Sequence, residues 1–190
     1  MQLLWKYPLA DERYVSESAW EHAILDRCPF HPEGGCRVEK LGSYPRVEPP
    51  GVHIPRWWCP KQRASISLLP SFLAARLSGT LATVEDIVAA VERAGSVAAA
   101  VDVVHPPDAD DPIGLACALR SMRRRVRAVR AALLAIATLM PERFAGVMPT
   151  LAAFRAALAR ERVLVTLREL CARHLAALPV PLGFGARASA

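Results

Sequence analysis

Lysine is almost missing from this chain. Of 24 basic residues, 21 are arginine and three are lysine; they face 18 acids, and the formal net charge of the 190 residues is +6. Long apolar runs are missing as well. The longest, Ala131 to Met140, is about half of the roughly 20 residues that a membrane-crossing helix requires, so no span is expected. The opening Met1-Gln-Leu-Leu-Trp-Lys-Tyr-Pro8 has no charged leader followed by an apolar stretch and a small-residue cleavage site, so no secretory signal is expected. Five cysteines are an odd number and suit reduced thiols or metal ligands in a cytoplasm better than a disulfide framework. A phosphate loop, a dinucleotide fingerprint, a nucleophile elbow and a His-Glu-x-x-His helix are all lacking. Ser71, Ser78 and Ser121 show no base partner, and the acids of residues 85–111 have no strand framework to converge them, so no enzyme is expected.

What is present divides near residue 63. All four Trp, all three Tyr, all three Lys and half of the 16 Pro precede it, whereas 30 of the 33 Ala follow it. An aromatic, proline-punctuated segment reads as loops and short strands, and an Ala, Leu and Arg-rich one reads as helices. With 53% hydrophobic and 22% charged residues, the chain is long and apolar enough to bury a core. The expected class is α+β, mainly α. Three regions are expected: a zinc-ribbon-like β-hairpin region over 1–66, a helix-turn-helix-like helical domain with one long arginine-rich helix over 67–140, and C-terminal helices with a flexible tail over 141–190.

Chemistry concentrates in two places. In the first, Cys28-Pro-Phe-His31-Pro-Glu-Gly-Gly-Cys36 is followed by two strand-like stretches, Leu41 to Val47 and Val52 to Trp58, and then by Cys59-Pro60. A Cys-x-x-His pair sets a thiolate and an imidazole on one tight turn, and a hairpin can return Cys59 to the same point, which is the logic of a structural zinc site. Cys28, His31, Cys36 and Cys59 form a closed four-ligand set for one structural zinc, with His53 as a substitute. Upstream, Ser16 to Leu25 reads as a short helix capped by Ser16 that packs through Trp20. Trp57 and Trp58 alternate along a strand, so one indole faces the core and the other is exposed, either as packing or as a stacking platform.

The second place is helical. Thr83 to Gly95 has a cap, early acids Glu85 and Asp86 and a terminal glycine, and a second helix over Val97 to Val104 follows Ser96. The pair resembles the start of a helix-turn-helix. Beyond the breaker His105-Pro-Pro-Asp-Ala-Asp-Asp-Pro112, a long helix runs to Met140. On it, Leu115, Leu119, Met122, Val126, Val129, Leu133, Ile136 and Met140 repeat by four and three, a seam that asks for a partner helix. Arg120, Arg123, Arg124, Arg127 and Arg130 flank that seam on one side and Arg125 on the other. Residues 112–130 sum to +6 without one acid, whereas residues 64–111 sum to −5. Such a run suits phosphates, and DNA is the expected partner. The competing expectations are arginines paired with Asp108, Asp110, Asp111, Glu92 or Asp102, and a helical interaction module that self-associates through the seam without binding nucleic acid. Two further helices, Thr150 to Ala159 and Glu161 to Leu178, are expected to close the bundle; Cys171 and His174 on the second have Cys-x-x-His spacing but no second pair.

Together, Cys28 to Cys36, Gly42-Ser-Tyr44 with Arg46, Arg56-Trp-Trp-Cys-Pro60 and Ser65-Ile-Ser-Leu-Leu-Pro70 make the chain similar to the N-terminal region of a family of uncharacterised bacterial proteins related to insertion-sequence transposases. The resemblance spans roughly residues 28–130. It implies a cysteine-rich zinc ribbon followed by a helix-turn-helix that binds DNA, with Cys28, His31 and Cys59 at ligand positions. Gln62 stands where that pattern commonly has a cysteine. The chain ends before a nuclease domain could be fitted, so the resemblance implies a binding module.

Overall fold

Strand-forming segments of the first third pair into one sheet in the computed structural model, which describes residues 1–7, 11–104 and 112–184. The elements are β1 (Gln2–Trp5), α1 (Asp11–Ser16), a 3-10 turn (Ala19–Glu21), β2 (Glu39–Pro45), β3 (His53–Cys59) and β4 (Ala64–Pro70). The strand order is β1-β4-β3-β2, with β1 parallel to β4 and the other two pairings antiparallel. The two expected strands are thus β2 and β3, each displaced by a residue or two. β1 and β4 were not anticipated as strands. In the register Trp57 faces Ile66, and these two, with Ala23, Cys28, Cys59 and Leu68, make a buried cluster onto which Trp5 and Phe30 pack. Trp57 is buried and Trp58 half-buried, the alternation that a pleated strand imposes; Lys40 Nζ stands 5.8 Å from the Trp57 ring centroid.

The expected helix over Ser16 to Leu25 does not form. Ser16 ends α1 instead of starting a helix, because Ser18 takes left-handed dihedrals (φ 46°, ψ 44°) that a helix cannot pass through. Only the short 3-10 turn follows. Trp20 does pack, in an aromatic group centred on the buried Tyr14, whose hydroxyl donates to the His53 carbonyl at 2.6 Å. The Trp5, Tyr7, Trp20 and Phe72 centroids lie 5.7, 5.1, 5.6 and 5.4 Å from that of Tyr14. Burial pushes the Tyr14 hydroxyl well above the usual phenol pKa.

The chain divides into two compact units, Met1–Leu73 and Ala74–Ala190. The break falls later than residue 66 because β4 runs to Pro70 and belongs to the sheet. The second unit holds α2 (Leu81–Ala94), α3 (Val97–Val104), α4 (Pro112–Leu139), α5 (Pro141–Phe144), α6 (Leu151–Leu158) and α7 (Val163–Leu170), with a 3-10 turn over Ala172–His174. The cap of α2 is Thr80, not Thr83: Thr80 Oγ1 accepts the Thr83 N–H at 3.0 Å. Gly95 ends the helix as expected, at φ 74°. Ser96 Oγ accepts the Ala99 N–H at 3.1 Å at the start of α3. The helix expected to continue to Leu178 stops at Leu170, where Cys171 leaves helical geometry (φ −96°, ψ 20°). None of the helices among the described residues is long and apolar enough to cross a membrane.

The seam of α4 finds its apolar partners inside its own unit. Met122, Val126, Val129, Leu133 and Ile136 are buried, and α2 and α3 pack against the helix. Leu119 and Met140 are half-buried, and Leu115 is exposed. At about 25 cal/mol per Å2 of apolar surface, each fully buried side chain of this stripe contributes about 1.5–3 kcal/mol.

Two glutamates on one face of α2, seven residues and therefore about two turns apart, hold the later helices. Glu85, fully buried, accepts the Val163 and Leu164 N–H groups at 3.0 and 2.9 Å and a bond from Arg155 Nη2 at 3.1 Å. Glu92 accepts the Leu151 and Ala152 N–H groups at 2.8 and 3.2 Å. These are the donors that a helix start leaves unsatisfied, and the negative charge lies at the positive end of the helix dipole. Arg168, also buried, donates to the carbonyls of Leu182 at 3.0 Å and Pro181 at 2.5 Å, anchoring the segment after α7. Desolvation lowers its pKa to about 9.

Candidate metal centre and candidate nucleic-acid interface

The candidate metal centre is assembled in the first unit by two turns and a loop. Cys28 opens the first turn, where the His31 N–H donates to the Cys28 carbonyl at 3.1 Å and the Gly34 N–H to the His31 carbonyl at 3.1 Å. Gly34 and Gly35 then take φ 96° and 71°. Two successive residues in this region reverse the chain and bring Cys36 back toward Cys28, a path that side chains with a Cβ adopt at a cost. Cys59 arrives from the far end of β3, paired with Ala64 across the β3-β4 turn.

The ligand atoms of Cys28, His31, Cys36 and Cys59 all lie within 4.8 Å of one another, so these four side chains can hold one metal ion. Individual approaches are 3.4 Å from Cys28 Sγ to His31 Nδ1, 3.4 Å from Cys36 Sγ to Cys59 Sγ and 3.6 Å from Cys59 Sγ to His31 Nδ1. The sulfurs stand well beyond the disulfide bond length of about 2.05 Å, and all are free thiols. Cys28 and Cys59 are buried, His31 and Cys36 half-buried.

The thiols are not equivalent. Burial and the neighbouring Cys59 and Cys28 thiols push Cys36 up to about 11. Burial opposes ionisation of Cys59 too, but the Gln62 N–H, 3.3 Å from its sulfur, the Cys36 and Cys28 thiols and the Lys61 N–H outweigh it and hold Cys59 below the ordinary thiol value. Gln62 thus contributes its backbone where the resemblance expects a cysteine side chain. Its side chain is exposed.

His53 is not part of the cluster. Its ring stacks on Trp20, centroids 4.8 Å apart and 22° between planes, and its Nδ1 is 3.3 Å from Ser43 Oγ. As the first residue of β3 it stands at the opposite end of the strand from Cys59, so it does not substitute as a ligand. His22 is exposed at the end of the 3-10 turn. Cys171 is buried with its Sγ 3.7 Å from Met140 Sδ, while His174 is exposed; that Cys-x-x-His spacing does not bring two side chains into a ligand group. Cys117 is exposed on α4 with Arg120 Nη2 at 3.3 Å.

On α4, in the second unit, Arg120, Arg123, Arg124, Arg127 and Arg130 are all exposed. At 3.6 residues per turn they fall within about 120° of arc, on the side away from the buried stripe. Among the described residues none of the five forms an ion pair. Glu92 is engaged by α6, and Asp86 pairs with Arg162 at 2.5 Å. Asp102 is exposed on α3. The acidic stretch Asp108, Asp110 and Asp111 lies outside the described residues. Arg125 is half-buried and reaches back to the segment before α2, its Nη2 3.5 Å from the Ser78 carbonyl. Sequence reading missed Arg125 as part of a constellation, because nothing in the local pattern says that residues 76–78 come to lie under this helix.

No family model, curated protein or solved structure matches this chain.

Proposed function

We propose that this chain binds DNA: a zinc-stabilised β module in the first unit is joined to a helix-turn-helix-type bundle whose α4 arginines hold backbone phosphates, with no catalytic role. The observation that carries the reading is the arc of Arg120, Arg123, Arg124, Arg127 and Arg130, exposed together with no carboxylate paired to any of them among the described residues. An arginine presented to solvent without a local acid is free to exchange water and counterions for phosphate oxygens, which supplies most of the affinity of sequence-independent nucleic-acid binding. Succession of α2, the Gly95 turn and α3 supports the helix-turn-helix reading, as does the resemblance to transposase N-terminal regions.

Zinc is the metal favoured by the donor set. Three thiolates and one imidazole are soft and borderline ligands, and a closed set of four leaves no position for substrate, so the ion would be structural. Bonds of about 2.3 Å to sulfur and about 2.0 Å to nitrogen put tetrahedral donors about 3.5–3.8 Å apart, close to the 3.4–3.6 Å approaches in the cluster.

Both halves are testable on the purified chain. Elemental analysis should find one zinc per chain, lost in Cys28→Ser and in Cys59→Ser; a zinc-free wild type removes the zinc reading. Anisotropy of a labelled duplex should show binding at low salt, and five phosphate contacts give a log-log salt slope of about −4.5, a loss of several hundredfold in affinity between roughly 50 and 200 mM salt. No duplex binding at low salt would sink the DNA reading.

A further inference from the structure

The three cysteines of the Cys28, His31, Cys36 and Cys59 group differ in how far solvent reaches them. Cys28 and Cys59 are 3% and 0% exposed, whereas Cys36 is half-buried. A cavity of about 360 Å3 opens beside the group, lined among others by Arg27, Cys28, His31, Glu33 and Cys36. Cys59 does not line it. A small solute entering the cavity therefore meets Cys36 as the accessible sulfur, with Cys59 behind it.

These two sulfurs are also paired by geometry. Cys36 Sγ lies 3.4 Å from Cys59 Sγ, so an approach of about 1.3 Å brings them to the disulfide length of about 2.05 Å. The Cys28 sulfur instead makes its 3.4 Å approach to His31 Nδ1. Cys59 is held at the end of β3 by its pairing with Ala64. Cys36 lies in the irregular stretch 35–38, just after Gly34 and Gly35 with φ 96° and 71°, so the movement falls on Cys36. Cysteines that hold a metal are thiolates, and a thiolate is the form that attacks peroxides.

We infer that Cys36 and Cys59 are a reversible oxidation site, at which hydrogen peroxide converts the two thiolates into a disulfide and empties the metal centre. The inference rests on the zinc reading above and adds a reaction to it. The Cys36 sulfur attacks one oxygen of the peroxide: an S–O bond forms, the O–O bond breaks, and the other oxygen leaves as hydroxide, giving a sulfenic acid at Cys36. The Cys59 sulfur then attacks that of Cys36; the S–S bond forms, the S–O bond breaks, and a second hydroxide leaves. Two protons from solvent turn both hydroxides into water. The two electrons given up by the pair of thiolates have reduced the peroxide. Cys28 and His31 then remain, half of the four donors that a closed site needs. A dithiol reductant reverses the change by thiol–disulfide exchange.

The test uses the full zinc-loaded chain in a Cys117→Ser background, which removes the exposed thiol. One molar equivalent of hydrogen peroxide should release the zinc to a colorimetric chelator, with the loss of two hydrogen masses from the chain. Trypsin then yields residues 28–37 and 57–61 as one linked peptide. Fragmentation should place the link on Cys36 and not on Cys28, and dithiothreitol with added zinc should restore the starting metal content. Cys36→His keeps a zinc donor but removes the attacking sulfur, and at one equivalent of peroxide it should keep its zinc. Retained zinc in the parent chain, a link from Cys28 to Cys59, or sulfinic acids without a link overturns the oxidation site; so does equal zinc release from Cys36→His. The mapped link decides the matter even where Cys36→His fails to load metal. If the purified chain holds no zinc, the zinc reading falls and metal release falls with it. Peroxide is then applied to the metal-free chain: a Cys36–Cys59 link upholds the thiol pair, and its absence overturns that as well.

Discussion

Glu85 offers the sharpest test of how the helical unit is held, because the sequence marks it as an ordinary acid in the first turns of a helix and the structure buries it completely. In Glu85→Ala the Val163 and Leu164 N–H groups, now bonded at 3.0 and 2.9 Å, lose their acceptor in a place that water does not reach. Each unsatisfied buried donor costs about 1–3 kcal/mol, so the pair costs about 2–6 kcal/mol. The Arg155 partner adds little, since its side chain is 41% exposed and rehydrates. Lost favourable charge at the start of α7 adds about 0.5–1 kcal/mol. A total of about 2.5–7 kcal/mol is a large part of the 5–15 kcal/mol that stabilises a typical domain. The neighbouring residue provides the control: Asp86 pairs with Arg162 between side chains 63% and 47% exposed, and Asp86→Ala should cost under about 1 kcal/mol. Urea unfolding followed by helical circular dichroism measures both. If Glu85→Ala unfolds within about 1 kcal/mol of wild type, or no more easily than Asp86→Ala, the capping account of α7 is wrong.

Two further outcomes follow from the structure. Cys36, raised to about 11, keeps its proton at neutral pH in the metal-free chain, so metal uptake must expel that proton, and zinc affinity should strengthen by about tenfold per pH unit for each proton displaced as pH rises toward that value; competition against a chelator from pH 6 to 8 reads this, and a flat profile contradicts it. Met122→Asp puts a carboxylate into a site that is 2% exposed and should unfold the helical unit by more than about 3 kcal/mol; a folded Asp variant with an altered oligomeric state by light scattering would show that the seam serves another chain.

The two units were legible to different degrees. In the first, Cys-x-x-His and Gly-Gly-Cys are local statements about turns, and the four ligands they name do converge. Choosing Cys36 over His53 as the fourth was not local: it depended on β3 carrying His53 and Cys59 at opposite ends of one strand and on Trp20 engaging the imidazole. β1 escaped notice because four residues carry too little periodicity, and its pairing partner is more than sixty positions away. In the second unit the long helix and its apolar repeat could be read directly, since 3.6-residue periodicity accumulates over many turns. What that repeat packs against could not.

Composition, the near absence of lysine, the +6 stretch of residues 112–130 and the ligand-spaced cysteines were properties of the sequence alone, since each depends only on which residues are neighbours along the chain. Tertiary structure decided where the charges of opposite sign went. Glu85 and Glu92 turn inward to the starts of α7 and α6, because a buried N–H must find an acceptor and a carboxylate on the facing helix is the one at hand. With those two carboxylates engaged by backbone N–H groups, Arg120, Arg123, Arg124, Arg127 and Arg130 face solvent without an ion pair among the described residues, an arrangement that no count of charges along the chain could have shown.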